Sequence, residues 1–529
     1  MKVLTAAQMR EIDRITTERY GVPSLQLMEN AGTRVVECIR AEVPDFAGLR
    51  TVVLCGKGNN GGDGFVVARL LRQQGAQVSV YLFAAVESVK GDAAVNLRRW
   101  REMGGEITVI VSPTDWEAQR EEVARAKIVI DALLGTGLAG PVEGLLASVI
   151  HDVNQLCRRA TVFAVDIPSG LQSDSGEIVG PCIRADHTIT FTAPKLCHVF
   201  PPASEQIGKL RIGEIGTPRE ALDGDPNLTL HWLEPSEFQS LPLRRNRGAH
   251  KGDFGHALIV AGSRGKTGAA VLAATGALRV GVGLATVATP APLQLTVAAG
   301  LPEMMTEALH ATENDTISVR NLDYGSFFQL TKGKDTIALG PGLSTHPETQ
   351  QFVRAVVAET SLPLILDADG LNAYAGKGNE LREHRTTHLA ITPHPGEMAR
   401  LLGCTTREIQ AQRLAVARRY AAEWNVYVVL KGQATILASP DGRAYVNTTG
   451  NPGMATGGTG DVLTGMLAGV TAQFGVQDWA RILGLGVYLH GLAGDFAASE
   501  QGEASMIAGD ILSMLPRAFR SLTSQLHHA

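Results

Sequence analysis

Short apolar runs recur along this chain, and most end in a polar, glycine-rich loop followed by a stretch with helical spacing. In the first half the runs cover residues 51–55, 78–83, 107–111, 127–132, 161–166 and 187–191. In the second half they cover 256–261, 285–289, 336–339, 363–367, 388–392 and 426–430. Runs this short, separated by helical segments, predict parallel sheets with helices on both faces, an α/β architecture. At 529 residues the chain exceeds the about 250–300 that one hydrophobic core usually holds, so two domains are expected. The alternation lapses over residues 216–255, which are rich in Pro, Arg, Asp and Gly, and this places the boundary near residue 225, with domains 1–225 and 226–529.

The densest glycine cluster in the second half is residues 449–461, TGNPGMATGGTGD, followed directly by an apolar helical run. A glycine-rich turn that opens a helix offers unpaired backbone N–H groups at the positive end of the helix dipole, which suits a phosphate. Asp461 lies among those donors, where it either caps the helix or takes a proton beside a bound anion. Other polar loops follow neighbouring strands: GPGL at 340–343, DAD at 367–369, TPHPGE at 392–397 and KGQAT at 431–435. His394, between two prolines, is either a ligand contact held in a fixed pose or a rigid turn with a satisfied imidazole. His490 and Met454 read as packing residues. The GKT at 265–267 is not a P-loop, because the first glycine of that motif would fall on Val260.

In the first half, three strand ends run into GKGNNGGDG at 56–64, DALLGTG at 131–137 and DIPSG at 166–170. Ligands of open α/β sheets sit outside such carboxyl ends. The G-x-G-x-x-G at Gly56, Gly58 and Gly61 lacks the acidic residue that a dinucleotide fingerprint needs at the end of the second strand, and Asp63 would repel a pyrophosphate. What the loops share is oxygen: Asn60, Asp131 and Ser169 can coordinate a hard cation. Asp63 and Asp166 are left for proton transfer or for ribose hydroxyls.

A net charge of −5 with no basic block argues against nucleic acid as a partner. Six cysteines without a C-x-x-C pair read as free thiols in a reducing, cytoplasmic setting. No targeting segment or bilayer-spanning run is expected; the nearest candidate, residues 271–292, carries Arg279. The apolar helices suggest a homo-oligomer.

GKGNNGGDG, DALLGTG and DIPSG resemble the signatures of the NAD(P)H-hydrate epimerases, the YjeF N-terminal family, over about residues 1–220. The resemblance implies a Rossmann-like three-layer fold that interconverts the R and S hydrates of NADH and NADPH. It implies substrate contacts at Asn59, Asn60, Gly61, Gly62, Asp63, Gly135, Thr136, Gly137, Leu138, Ala139, Gly140, Pro141 and Asp166, with Asp166 also catalytic. It further implies a potassium ion (K+) at Asn60, Asp131 and Ser169. The set HKGDFGHALIVAGS, GPGL, TPHPGE, KGQAT and NPGMATGGTGD is similar to the ADP-dependent NAD(P)H-hydrate dehydratases of the ribokinase-like superfamily, from residue 226 onward. This implies ADP with Mg2+ as co-substrate, nucleotide contacts at Lys431, Gly432, Gln433, Ala434, Thr435 and Gly460, and hydrate contacts at Ala270, Gly342, His394 and Asp461. Asp461 is then the catalytic base. The expected function is repair of hydrated NADH and NADPH (NADHX and NADPHX). A kinase for a small alcohol or vitamin precursor on the same fold is the alternative, and a non-enzymatic binding scaffold a further rival.

Overall fold

The structure is a computed structural model and describes residues 1–528. It divides into two units, Lys2–Leu228 and residues 229 onward, the latter joined by Met1.

A strand buried on both faces needs neighbours on both edges and helices above and below. β1 (Arg50–Cys55) is such a strand, buried at every position after Arg50. It pairs in parallel with β2 (Gln77–Leu82) on one side and with β4 (Ile128–Ala132) on the other. β3 (Ile107–Val109), β5 (Thr161–Val165), β6 (His187–Phe191) and β7 (Lys209–Gly213) complete a seven-stranded parallel sheet ordered β3-β2-β1-β4-β5-β6-β7. The order reverses direction between β1 and β4. Their outgoing loops diverge there and open a crevice at the carboxyl ends of the strands, the topological switch point.

The second unit repeats this logic on a larger sheet. Its strands are β8 (Leu230–Trp232), β9 (His256–Val260), β10 (Leu284–Pro290), β11 (Met305–Leu309), β12 (Thr336–Leu339), β13 (Leu364–Leu366), β14 (Leu389–Ile391), β15 (Tyr427–Leu430), β16 (Thr435–Ala438) and β17 (Ala444–Asn447). They are ordered β11-β10-β9-β12-β13-β14-β15-β16-β17-β8, so the switch point lies between β9 and β12. Only the pairings of β16 with β15 and with β17 are antiparallel.

Four of these strands escape the sequence reading. β8 and β11 are edge strands, and β11 is largely exposed, so neither shows an apolar run. β16 and β17 form a hairpin in a stretch read only as a binding loop and its sequel. The membrane expectation also changes: the helix Trp479–Gln501 is long and apolar enough to cross a bilayer by length and composition, although 72% of its most apolar window is buried inside the protein. The homo-oligomer was expected from apolar helices such as this one, whose residues belong to the core of the second unit.

The helices Thr267–Arg279 and Thr459–Phe474 pack along small residues. A Cβ on Gly465 would stand 1.8 Å from the carbonyl oxygen of Ala273, and one on Gly276 2.6 Å from that of Val462. Backbones in this contact cannot admit even a methyl group without separating. Gly465→Ala is therefore expected to destabilise the second unit by about 1–3 kcal/mol, read as a lower urea midpoint with an unchanged slope.

Candidate active sites

A cavity of about 1170 Å³ opens at the switch point of the first sheet. The helix Asn59–Gln73 begins at its edge with no side-chain cap, so its first N–H groups point toward the cavity end of the helix. Asn59, Asn60, Asp63, Gly135, Thr136, Gly137, Leu138, Ala139 and Asp166 all line the cavity, as the motifs predict. Gly61, Gly62, Gly140 and Pro141 stand outside the lining. Gly61 and Gly62 serve packing instead: a Cβ on Gly61 would meet the Gly56 carbonyl oxygen at 1.9 Å, and one on Gly62 the Met28 side chain at 2.8 Å.

Asp166 follows β5 with a positive φ of 63°, a strained setting for a residue with a Cβ. Its carboxylate accepts hydrogen bonds from Lys195 Nζ at 2.7 Å and from Thr190 Oγ1 at 2.8 Å. Burial alone would raise its pKa, but the Lys195 ammonium outweighs burial and holds Asp166 below the usual carboxylate range. Lys195 is fully buried and also donates to Thr190 Oγ1 and the Phe191 carbonyl. No sequence motif pointed to it; it follows β6 in the unremarkable stretch FTAPK. Asp63 behaves oppositely. Burial, then the charges of Asp166 and Asp13, push its pKa well up. The sequence argument that Asp63 repels a pyrophosphate therefore fails, because the carboxyl is driven toward its neutral form. The dinucleotide fingerprint still lacks its acid, since β2 ends at Leu82 and continues Phe83-Ala84.

The three oxygen-bearing residues meet beneath this cavity. Ser169 donates its N–H to Asp131 Oδ2 at 2.7 Å and its hydroxyl to Asp131 Oδ1 at 2.5 Å. Asn60 donates from Nδ2 to the Leu134 carbonyl at 2.8 Å, and its Oδ1 is buried with no hydrogen-bond partner. Burial pushes Asp131 up to about 6 against the opposing bonds from Ser169. Ser169 Oγ accepts the Leu134 N–H, so Asn60 and the Ser169–Asp131 pair meet at Leu134, and an orphaned amide oxygen, a carboxylate and a hydroxyl there suit a monovalent cation.

In the second unit the loops after β9 and β12 close on each other: Gly262 N–H donates to the Pro341 carbonyl at 2.9 Å, and Ser263 Oγ to the Gly342 carbonyl at 2.7 Å. The helix Thr459–Phe474 starts after Gly458, whose φ of 92° suits glycine, and no side chain caps it. Asp461 is the third residue of this helix and not its cap. Burial, then the negative charge of Asp367, raise Asp461 to about 6, with Lys431 pulling the other way.

Asp367 ties this site together. It accepts Lys431 Nζ at 2.8 Å and Thr464 Oγ1 at 2.6 Å, joining the end of β13, the loop after β15 and the helix that carries Asp461. Lys431 Nζ also lies 3.8 Å from Glu397, and a Cβ on Gly460 would stand 3.4 Å from Lys431 Nζ. From behind, Asp495 accepts Gly450 N–H and Asn451 Nδ2, each at 3.0 Å, and His490 Nε2 meets the Thr459 carbonyl at 3.0 Å. His490 is thus more than packing: a carbonyl partner requires a proton on Nε2, and burial drops its pKa to about 4, so it stays neutral.

Other predicted contacts fall less directly. Ala270 is fully buried in the helix Thr267–Arg279. Gly342 has φ 64° and lies against the Lys266 carbonyl. His394 accepts the N–H groups of Gly396 at 3.0 Å and Glu397 at 3.3 Å through Nδ1, so it caps the helix Pro395–Leu402 and presents its half-exposed ring outward. Gly432, Gln433 and Thr435 are at or near the surface beside Lys431, and Ala434 is buried with φ 52°.

Each sheet thus carries a site at the carboxyl ends of its strands, made of glycine-lined loops, an uncapped helix start and a carboxyl raised toward neutrality; these features define a two-site α/β enzyme. Residues 24–197 match a family model described as YjeF-related protein N-terminus, and residues 257–517 one described as NAD(P)H-hydrate dehydratase. The bifunctional NAD(P)H-hydrate repair enzyme of Moorella thermoacetica is 44% identical, covering 99% of this chain and 98% of its own length. Those of Thermofilum pendens and Escherichia coli are 40% and 32% identical; each covers 99% of this chain, and 97% and 95% of its own length respectively. A solved Bacillus subtilis ADP/ATP-dependent NAD(P)H-hydrate dehydratase, co-crystallized with ATP/Mg2+, is 31% identical over 55% of this chain and 98% of its own, with a TM-score of 0.46. The chain belongs to the bifunctional NAD(P)H-hydrate repair enzyme family.

Replacing Lys195 by Met leaves Asp166 charged and unpaired. Unfolding free energy is expected to fall by about 3–5 kcal/mol, most at high pH where Asp166 cannot escape by taking a proton. Chemical denaturation at two pH values checks this, and Asp166→Asn in the same chain should restore much of the loss.

Proposed function

We propose that the unit Lys2–Leu228 interconverts the R and S hydrates of NADH and NADPH, and that the unit from residue 229 onward removes water from the S hydrate using ADP. The full-length kinship supports hydrate repair over a small-alcohol kinase, which would share the uncapped turn and its carboxyl. What supports the dehydratase chemistry most directly is Asp461, a carboxyl raised to about 6 within the first turn of an uncapped helix.

A hydroxide ion leaves poorly from a ring carbon, so the hydroxyl needs activation. Asp461 takes the hydroxyl proton as the terminal phosphoryl group of ADP passes to that oxygen, its bond to the α-phosphate breaks and AMP leaves. The N–H groups of Thr459, Gly460 and Asp461 receive the charge that builds on the phosphoryl oxygens. Phosphate then leaves, a proton departs from the adjacent ring carbon, and the dihydronicotinamide double bond returns. Lys431, Gly432, Gln433, Ala434, Thr435 and Gly460 hold the nucleotide; Gly342, His394 and Asp461 face the hydrate, with Ala270 acting through the backbone beneath them. Among the described residues no group of three His, Cys, Asp or Glu side chains could hold a metal. A magnesium ion therefore fits as one carried on the phosphates of ADP, which is how this cation is commonly bound.

In the first unit, Asn59, Asn60, Asp63, residues 135–139 and Asp166 bind the hydrate. Gly61, Gly62, Gly140 and Pro141 shape these loops. Asn60, Asp131 and Ser169 hold a potassium ion, which supplies a fixed positive charge below the loops. The six cysteines are all unpaired, which supports a cytoplasmic setting.

Asp461→Asn is expected to lower dehydration of the S hydrate by 10²-fold or more while leaving nucleotide affinity within a few-fold. Return of reduced-nicotinamide absorbance and nucleotide titration measure the two effects. In the wild type the dehydration rate should fall as pH drops through about 6, where Asp461 takes up a proton. Full dehydration by the variant would remove Asp461 from the role of base.

A further inference from the structure

Hydration of a dihydronicotinamide adds a proton to the electron-rich ring carbon and hydroxide to the carbon bonded to the ring nitrogen. The product is a hemiaminal. Its hydroxyl can leave as water when protonated, because the nitrogen lone pair forms a C=N+ bond behind it. Water returning to the opposite face, with loss of a proton, gives the other epimer. The exchange involves no oxidation, and it needs one group that gives a proton and another that takes one.

Asp166 is badly placed for either task. Its carboxylate is already bound to Lys195 and Thr190, and Lys195 holds it in the charged form. The cavity has two other carboxyls. Asp63 is 9% exposed, lines the cavity and accepts no hydrogen bond from any described residue. Asp13, on the helix Ala6–Glu18, lines the same cavity, and its Oδ1 is buried without a hydrogen-bond partner. Nothing in the sequence marks Asp13: it falls in MREIDRI, an ordinary amphipathic pattern.

We propose that Asp13 is a catalytic residue of the epimerase, forming with Asp63 a carboxyl pair that holds one proton and exchanges it with the ring hydroxyl and the incoming water. In one direction the protonated member gives its proton to the departing hydroxyl, and the other takes a proton from the water that adds. In the reverse direction the roles swap. Both carboxyls line one cavity, and the charge of Asp13 is among those that raise Asp63. Burial lifts Asp13 to about 6 and Asp63 well above its usual value, each raised further by Asp166 and lowered by Lys195. Arg10, Arg14 and Glu18 line the cavity from Asp13's own helix, and Arg14 is occupied by Glu11 and Glu18. Lys57 and Asp92 complete the charged wall.

This inference rests on the epimerase assignment, and the test separates the two. Purified R hydrate is supplied without ADP, and the S hydrate is followed by chromatography above the uncatalysed background. The wild type should interconvert the epimers, at a rate that rises with pH through about 6 as the pair loses its first proton. Asp13→Asn should lower the rate 10²-fold or more and remove that rise. Asp13→Glu should restore part of the rate, and ADP-dependent dehydration of pure S hydrate, with its melting midpoint, should match the wild type. An Asp13→Asn chain that epimerises within two-fold of the wild type overturns the role of Asp13 alone. A wild-type chain with no epimerisation overturns the site assignment along with it.

Discussion

Both sites depend on how closely the backbones at two neighbouring strand ends approach. A Cβ on Gly56, after β1, would stand 2.0 Å from the Leu133 carbonyl after β4; one on Gly340, after β12, would stand 1.8 Å from the Asp367 carbonyl after β13. Only glycine permits such contacts. They draw neighbouring loops together and leave the crevice beside them for a ligand. Relaxing either contact would move the side chains of Asn60 and Asp131 apart in one unit, and Asp367 away from the helix of Asp461 in the other.

On this frame the two units use the same electrostatic device. A lysine neutralises one strand-end carboxylate, the buried Lys195 with Asp166 and the half-buried Lys431 with Asp367. The residual negative charge then acts on a second carboxyl nearby, Asp63 in the first unit and Asp461 in the second, and adds to burial in raising it. A carboxyl raised this way can hold or accept a proton near neutrality, which is what chemistry on a hydroxyl requires. In each site the ion pair sets the charge that its neighbouring carboxyl feels.

Much of this was legible in the sequence, for a physical reason. Buried parallel strands must be nearly continuous apolar runs, and close-approach loops must be glycine-rich, so β1, β4, β9 and β12 and their loops stand out. What was hidden lacks such constraints. Lys195 is a lone lysine whose partner is distant in sequence, and Asp13 sits on a helix face like any other polar residue. β8 and β11 are edge strands with little to bury. The ionisation of Asp63 was misread, because its burial comes from tertiary packing. His394 was left open between ligand contact and satisfied turn; its Nδ1 is engaged as a cap, and its Nε2 lies 3.5 Å from Glu397 Oε1, on a ring that is half exposed.

The central claim is that one chain carries two separable chemistries, with Asp461 serving only the second. The direct measurement gives Asp461→Asn protein pure R hydrate with ADP and Mg2+ and follows both epimers and the reduced nucleotide. The account predicts that S hydrate rises to its equilibrium share and stays there, with little return of reduced-nicotinamide absorbance. Absorbance returning at the wild-type rate, or R hydrate that never becomes S, would contradict it.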